Sequence, residues 1–154
     1  MTLSRIRRPE IGSIALTALV SAYLLLVTNK SFWTHAIAYF NDSAVALLSF
    51  SAALCLLTFA ALTTASVKYL MKPVLIFSIM VSASASYFID SFGVIIDKDM
   101  IGNAAVTTQA EAGHLLTGSL AMHLLLFGVL PSLLVALVKV RRRRFLANAA
   151  VNLA

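Results

Sequence analysis

Four long stretches without a charged residue dominate this sequence and restrict what the chain can fold into. They run from Ile11 to Asn29, from Ser43 to Val67, from Pro73 to Ile89 and from Ala112 to Val138. A helix rises about 1.5 Å per residue, so stretches of this length approach or exceed the roughly 30 Å hydrocarbon core of a bilayer. Each stretch is therefore predicted to be a transmembrane helix.

The composition agrees with a membrane domain. Of the 154 residues, 60% are hydrophobic and only 12% are charged, whereas about a quarter of the residues of a soluble domain are charged. The only cysteine, Cys55, excludes a disulfide framework and a cysteine zinc site. The predicted fold class is all-α. It is a polytopic membrane helix bundle with four transmembrane helices, at about residues 10–29, 43–67, 71–92 and 114–138, and a periplasmic-side helix before the fourth.

Positive charges lie mainly on one side of the predicted spans. Arginines precede the first span, two lysines separate the second from the third, and the fourth is followed by a lysine and the run Arg141 to Arg144. Cytoplasmic flanks retain positive charge, so the N-terminus and the region of residue 140 are predicted to be cytoplasmic and loops 30–42 and 90–113 periplasmic. The arginine run is interpreted as a topology anchor, with binding of anionic lipid or nucleic acid as the alternative.

The two ends of the chain leave alternatives open. A basic start followed by an apolar run also resembles a secretory signal, but no clear small-residue cleavage site follows it, which favours an uncleaved first span. Residues 145–154 are apolar but too short to cross a bilayer. They are interpreted as the start of a truncated fifth span or as a tail.

Few ionisable side chains lie at membrane depth. No carboxylate, lysine or arginine occupies the middle of a span, which argues against a transporter. His123 is interpreted as bonded to a hydroxyl group of a neighbouring helix, with a proton relay or a ligand role as the alternative. Ser78, Ser82, Ser86 and Asp90 recur every fourth residue, and this stripe is interpreted as a helix seam, with a lining for a lipid headgroup as the alternative.

Pro131 is expected to disturb the fourth span. Proline has no N–H group, so the carbonyl group of Phe127 lacks its usual partner. Together with Gly128, this predicts a kink.

The first outer loop is rich in aromatic residues. Tryptophan and tyrosine concentrate at membrane boundaries because their rings are amphipathic. The loop is therefore predicted to lie in the interface, either as an anchor or in contact with lipid, and its notable side chains are Phe32, Trp33, His35, Tyr39 and Phe40.

The second outer loop contains the candidate binding residues. A helix is predicted over residues 100–116, and on it Asn103, Thr107 and Glu111 are spaced by four, with His114 one turn further. A carboxylate on this face can offset the charge of an ammonium group, and the amide and hydroxyl groups can donate to phosphate oxygens. The alternative is a merely solvated face of a connecting helix.

The order of residues over most of the chain also resembles a known family. The block KPVLIFSIMVSASASYFIDSFGVIIDKDMIGNAAVTTQAEAGHLL, followed by GVLPSLLVALVKV, is similar to the membrane domain of the phosphoethanolamine transferases that modify lipid A, including the mobile colistin-resistance enzymes. The matching positions include Lys72 and Pro73, Ser86 to Phe88, Asp97, Met100, Asn103, Thr107, Glu111 and Val129 to Pro131.

The resemblance implies a bacterial inner-membrane enzyme that transfers phosphoethanolamine from phosphatidylethanolamine to lipid A phosphate. This lipopolysaccharide modification lowers the negative charge of the cell surface and gives resistance to polymyxins such as colistin. The resemblance implies that Asn103, Thr107 and Glu111 help to hold the donor lipid, with His114 beside them. None of these residues is expected to be catalytic.

The resemblance also implies parts that this chain lacks. In the family, a fifth span and a bridging helix lead to a periplasmic domain, where zinc and a threonine nucleophile carry out the transfer. We therefore expect no cofactor in this chain and no transferase activity from it alone. Its expected partners are the donor lipid, the acceptor lipid A and the missing catalytic domain, and not nucleic acid. The alternative is a free-standing four-helix membrane protein that acts as an oligomeric transporter or an assembly partner.

Overall fold

The computed structural model describes residues 10–66, 70–93, 102 and 117–141, and this part of the chain is almost entirely helical. The predicted all-α membrane helix bundle is confirmed. In chain order the elements are strand β1 (Glu10–Gly12), helices α1 (Ser13–Leu26), α2 (Lys30–Tyr39), α3 (Ala44–Ala65), α4 (Met71–Phe92) and α5 (Gly118–Leu137), and strand β2 (Lys139–Arg141).

Among the described residues, three helices are long and apolar enough to cross a membrane. These are α3, α4 and α5, with 22, 22 and 20 residues. Helix α1 has only 14 residues, fewer than the roughly 20 that a span needs. Helices α1 and α2 are bent by 68° relative to each other, and a fourth span is obtained when this pair is counted as one broken span. The segment predicted as the first outer loop, residues 30–42, is therefore largely helical.

The core of the bundle lies between α1, α4 and α5. Leu75 and Ile79 of α4 are fully buried there, packed with leucine and valine side chains of the neighbouring helices. Helix α3 contributes Leu62 to this cluster, and most of its other side chains are exposed. An exposed apolar helix face is not costly in a bilayer, because lipid chains are as apolar as leucine.

Small residues allow α4 and α5 to approach closely. A Cβ atom added at Gly128 would lie 3.0 Å from Sδ of Met80 and 3.5 Å from Cβ of Ala83. Ala83 itself is completely buried. Close packing of this kind is one of the forces that drive helix association in lipid.

Local signals define several helix ends. The side chain of Ser43 accepts a hydrogen bond from the backbone N–H of Ala46, 3.2 Å away, and so caps the start of α3. Helix α4 ends at Gly93, which has a φ of 62°. Glycine adopts this left-handed conformation without the strain that a Cβ atom would cause.

The two strands join the beginning and the end of the bundle. Strand β1 pairs in parallel with β2, with Glu10 opposite Lys139, and the side chains of these two residues form an ion pair at 3.3 Å. Nζ of Lys72 donates to the carbonyl oxygen of Ala136 at 2.7 Å, which satisfies a carbonyl group in the last turn of α5. We call this end of the bundle, defined by β1 and β2, the strand end, and the opposite one, where α1 meets α2, the α2 end.

A π-helical turn lies just before Pro131, where the sequence predicts a kink. Residues Leu124–Val129 of α5 have π-helical hydrogen bonding, which ends where Pro131 follows. The hydroxyl group of Tyr23 in α1 donates to the carbonyl oxygen of Phe127 at 2.7 Å. The carbonyl group that lacks its usual partner thus obtains one from a neighbouring helix, as a polar group in lipid requires.

Candidate functional site

The four candidate binding residues lie outside the described residues. Asn103, Thr107, Glu111 and His114 all fall within residues 103–116, and their common face remains a prediction. The described part of the chain holds two other groups of polar and aromatic side chains towards the α2 end: a seam of hydrogen bonds between α1, α4 and α5, and an aromatic cavity between α2 and α3.

The polar seam joins α4 to its two neighbours. The hydroxyl groups of Ser82 and Thr28 are hydrogen-bonded to each other. Because Thr28 also bonds to the carbonyl oxygen of Leu24, at 2.9 Å, its hydrogen is used there and Ser82 is the donor. The predicted helix seam is thus observed at Ser82, while Asp90, at the end of the same stripe, is exposed.

One turn further along α4, the seam continues at His123. Its Nε2 atom lies 3.1 Å from Oγ of the buried Ser86. Ser86 donates its own hydrogen to the carbonyl oxygen of Ala83 at 3.0 Å, so Nε2 of His123 is the donor, a tautomer assigned from these partners. The interpretation of His123 as bonded to a hydroxyl group of a neighbouring helix is confirmed.

The seam ends at a contact between the start of α5 and the end of α4. The side chain of Thr117 caps α5 by accepting from the backbone N–H of Leu120 at 3.2 Å. The same hydroxyl group lies 3.0 Å from the phenol oxygen of Tyr87. Thr117 therefore caps α5 and also links it to α4 by a hydrogen bond.

We expect Thr117→Ala to lower the free energy of unfolding by about 1–2 kcal/mol. The substitution removes an N-cap, typically worth about 1 kcal/mol, and a hydrogen bond between two helices, worth about 1 kcal/mol. Unfolding in detergent micelles, followed by circular dichroism, measures the change. Thr117→Ser retains the hydroxyl group and should remain within about 0.5 kcal/mol of the parent. Equal stability of the alanine and serine variants would contradict the double role.

Two side-chain hydrogen bonds stabilise the bend after α1. Nδ2 of Asn29 donates to the carbonyl oxygen of Leu24 at 2.7 Å, and Nε1 of Trp33 donates to that of Leu25 at 2.6 Å. These carbonyl groups belong to the last turn of α1, where helices leave acceptors unsatisfied. The tryptophan thereby ties α2 to the end of α1 at the observed angle.

The aromatic cavity is a shallow concavity, open to the surroundings, between α2 and the first half of α3, with a volume of about 560 Å³. Phe50 of α3 stacks on Phe32, with ring centroids 6.0 Å apart, and also contacts Phe40, with centroids 5.3 Å apart. The complete lining is apolar apart from an imidazole ring and a phenol hydroxyl group, and consists of Phe32, His35, Ala36, Tyr39, Phe40 and Phe50.

The sequence singles out Phe32, His35, Tyr39 and Phe40 as interfacial residues, but it predicts neither the cavity nor the place of Phe50 in its wall. The other aromatic residues are close together in sequence and were assigned to one interfacial segment. Phe50 lies inside a uniformly apolar span, where nothing in the local pattern distinguishes it from neighbours that face lipid. Only the packing of α3 on α2 identifies it.

Comparison with known proteins identifies the family. Residues 54–154 match the family described as phosphoethanolamine transferase EptA/EptB. The chain belongs to this family. The resemblance found in the sequence is thereby confirmed.

Individual members of the EptA/EptB family are similar to most of the chain. The phosphatidylethanolamine transferase Mcr-1 of Escherichia coli is 36% identical over 143 residues, which cover 86% of this chain and 25% of that protein. The phosphoethanolamine transferase EptA of Salmonella typhimurium is 31% identical over 140 residues, covering 88% of this chain and 26% of that protein.

The fold is also that of a solved member of the family. The integral membrane protein lipooligosaccharide phosphoethanolamine transferase A (EptA) from Neisseria meningitidis matches 94% of this chain with a TM-score of 0.82 and 27% identity, over 28% of its own length. The chain is therefore a multi-pass membrane protein with the fold of the EptA membrane region. It spans about a quarter of the length of these relatives.

Proposed function

We propose that this chain is the part of a phosphoethanolamine transferase that anchors the enzyme in the bacterial inner membrane and binds its donor lipid. The donor is phosphatidylethanolamine and the acceptor is lipid A, so the enzyme confers resistance to polymyxins, including colistin. Zinc and the threonine nucleophile belong to a periplasmic catalytic domain of the complete enzyme.

The single observation that carries this proposal is the structural match to EptA. It covers 94% of the chain with a TM-score of 0.82, so the likeness extends over nearly the whole bundle. The relatives indicate the chemistry, since one is a phosphatidylethanolamine transferase and another is a lipooligosaccharide phosphoethanolamine transferase. A lipid substrate agrees with a chain that consists mainly of membrane helices.

Within the chain, we assign donor binding to Asn103, Thr107 and Glu111, with His114 as a neighbour. Helical spacing puts an amide, a hydroxyl and a carboxylate group on one face. The carboxylate complements the ammonium group of phosphatidylethanolamine, and the amide and hydroxyl groups can donate to its phosphate oxygens. The positive charge of residues 139–144, which follow the last span, supports a cytoplasmic strand end and a periplasmic α2 end.

The test is selective lipid binding by the 154-residue chain in nanodiscs. Phosphatidylethanolamine should be retained in preference to phosphatidylglycerol. Asn103→Ala and Glu111→Ala should each reduce this preference about tenfold, because a hydrogen bond to a charged group is worth about 1.5–3 kcal/mol. The amount of each lipid that remains bound after detergent exchange is measured by mass spectrometry.

A matched pair of threonines provides the control. Thr107 lies on the proposed face, whereas Thr108 is rotated by about 100° around the predicted helix. Thr107→Ala should weaken retention of phosphatidylethanolamine, and Thr108→Ala should not. Equal retention of both lipids by the folded parent chain would overturn the donor-binding assignment.

A further inference from the structure

The aromatic cavity beside α2 is lined by groups that suit a cation. Four of its six lining residues are Phe32, Tyr39, Phe40 and Phe50, and none of the six has a permanent positive charge. The face of an aromatic ring carries negative electrostatic potential, which attracts an ammonium group within about 6 Å of the ring centroid. A cavity with several such rings therefore favours a cationic headgroup over an anionic one.

His35 adds a hydrogen-bond acceptor to this wall. Its Nδ1 atom lies 2.8 Å from the carbonyl oxygen of Ser31. A carbonyl oxygen only accepts, so Nδ1 carries the hydrogen, and Nε2 of the neutral ring is an acceptor. Nε2 has no hydrogen-bond partner among the described residues. A primary ammonium group can donate to it, whereas a quaternary ammonium group cannot.

The position of the cavity suits an amphiphile that is embedded in the membrane. The cavity lies at the α2 end, beside the first half of α3. The outer surface of α3 is apolar and exposed, as at Val45, Leu48 and Leu56. An acyl chain can therefore lie along α3 while the headgroup of the same lipid occupies the aromatic cavity.

We propose that the aromatic cavity binds the ammonium group of phosphatidylethanolamine, with the cation over the aromatic rings and one N–H donated to Nε2 of His35. The choice of this lipid rests on the proposed function. The inference deepens that function by giving the amine of the donor lipid a second recognition site, on α2 and α3, besides the one assigned to Glu111. These contacts recognise the amine and leave the phosphate free for other groups.

Trp33 provides a local probe for this site. It is the only tryptophan of the chain, and its ring lies 5.2 Å from that of Phe32 in the cavity wall, centroid to centroid. Bromine atoms on lipid chains quench tryptophan fluorescence at short range. The chain is placed in bilayers of phosphatidylglycerol with brominated chains, and unbrominated phosphatidylethanolamine or phosphatidylglycerol is added. We expect phosphatidylethanolamine to relieve quenching with about fivefold higher affinity than phosphatidylglycerol, because only its ammonium group is attracted by the faces of the aromatic rings.

Three variants test the assigned contacts. Tyr39→Leu and Phe40→Leu retain an apolar side chain but remove a ring face, and each should lower the preference about two- to fivefold. His35→Phe retains a ring but removes the acceptor and should also lower it. Tyr39 is 84% exposed, so its replacement is not expected to disturb folding. Phe77→Leu is the matched control, because Phe77 is 69% exposed on α4 and outside the cavity wall.

Equal affinities of the two lipids in the parent would overturn the inference, and so would a preference that survives all three variants. This result is separable from the proposed function. Lipid retention that depends on Asn103 and Glu111, without selectivity at Trp33, overturns only the aromatic site. Selectivity at Trp33, with retention insensitive to Asn103→Ala and Glu111→Ala, supports the aromatic site and overturns the donor role of those two residues.

Discussion

Replacing Ile79 with alanine is expected to lower the free energy of unfolding of the bundle by about 2 kcal/mol. Ile79 is only 1% exposed and packs in the core cluster to which α1, α3, α4 and α5 all contribute. In soluble proteins, such a substitution costs about 2–5 kcal/mol, part of which is the transfer of apolar atoms from water. In a bilayer the transfer part is small, because lipid is as apolar as the core. The lost dispersion contacts around the new cavity remain, and we therefore expect the lower end of the range.

An exposed position on the same helix separates packing from helix propensity. Val81 is 50% exposed on α4, so Val81→Ala also shortens a β-branched side chain but leaves no cavity in the core. We expect a change of less than about 0.5 kcal/mol for this control. Both variants are compared by reversible unfolding in mixed micelles, followed by circular dichroism. A similar loss in the two variants would mean that the buried contacts of Ile79 do not stabilise the bundle.

The membrane helices were predictable because lipid imposes simple requirements on a sequence. Charged residues are costly in the hydrocarbon core and therefore rare there, so the intervals between them indicate the regions of α3, α4 and α5. Buried polar groups in lipid need partners within the protein. This requirement predicted that His123 would bond to a hydroxyl group, although the sequence did not show that Ser86 supplies it.

Features that depend on contacts between distant segments were not predictable. The bond from Trp33 to the carbonyl group of Leu25 spans the bend after α1, and its acceptor is available because α1 ends there. The pairing of β1 with β2 joins the beginning of the described chain to its end. Neither pattern is present in one local window of sequence. The sequence predicts an interfacial position for the aromatic segment, but it predicts neither the helical form of this segment nor its contact with α3.

The largest functional effect is expected from Glu111→Gln in a transferase that contains this membrane domain. The substitution preserves the size and an acceptor oxygen but removes the negative charge that we propose complements the donor ammonium group. The loss of a charge-assisted hydrogen bond of about 1.5–3 kcal/mol should lower activity at limiting donor by about tenfold or more. Transfer is measured as the fraction of lipid A that gains phosphoethanolamine, by mass spectrometry, together with the amount of inserted enzyme.

Asp99→Asn is the matched control for this substitution. Asp99 also lies between the third and fourth spans, and the change removes the same charge, whereas asparagine caps helices as well as aspartate does. If Glu111 binds the ammonium group directly, Glu111→Gln should lower activity far more than Asp99→Asn at equal insertion. Equal losses in both variants would instead indicate that the net negative charge of this loop attracts the amine without a specific contact. Parent-like activity of Glu111→Gln would exclude Glu111 from donor binding. A carboxylate that binds a cation binds it more weakly once its negative charge is removed.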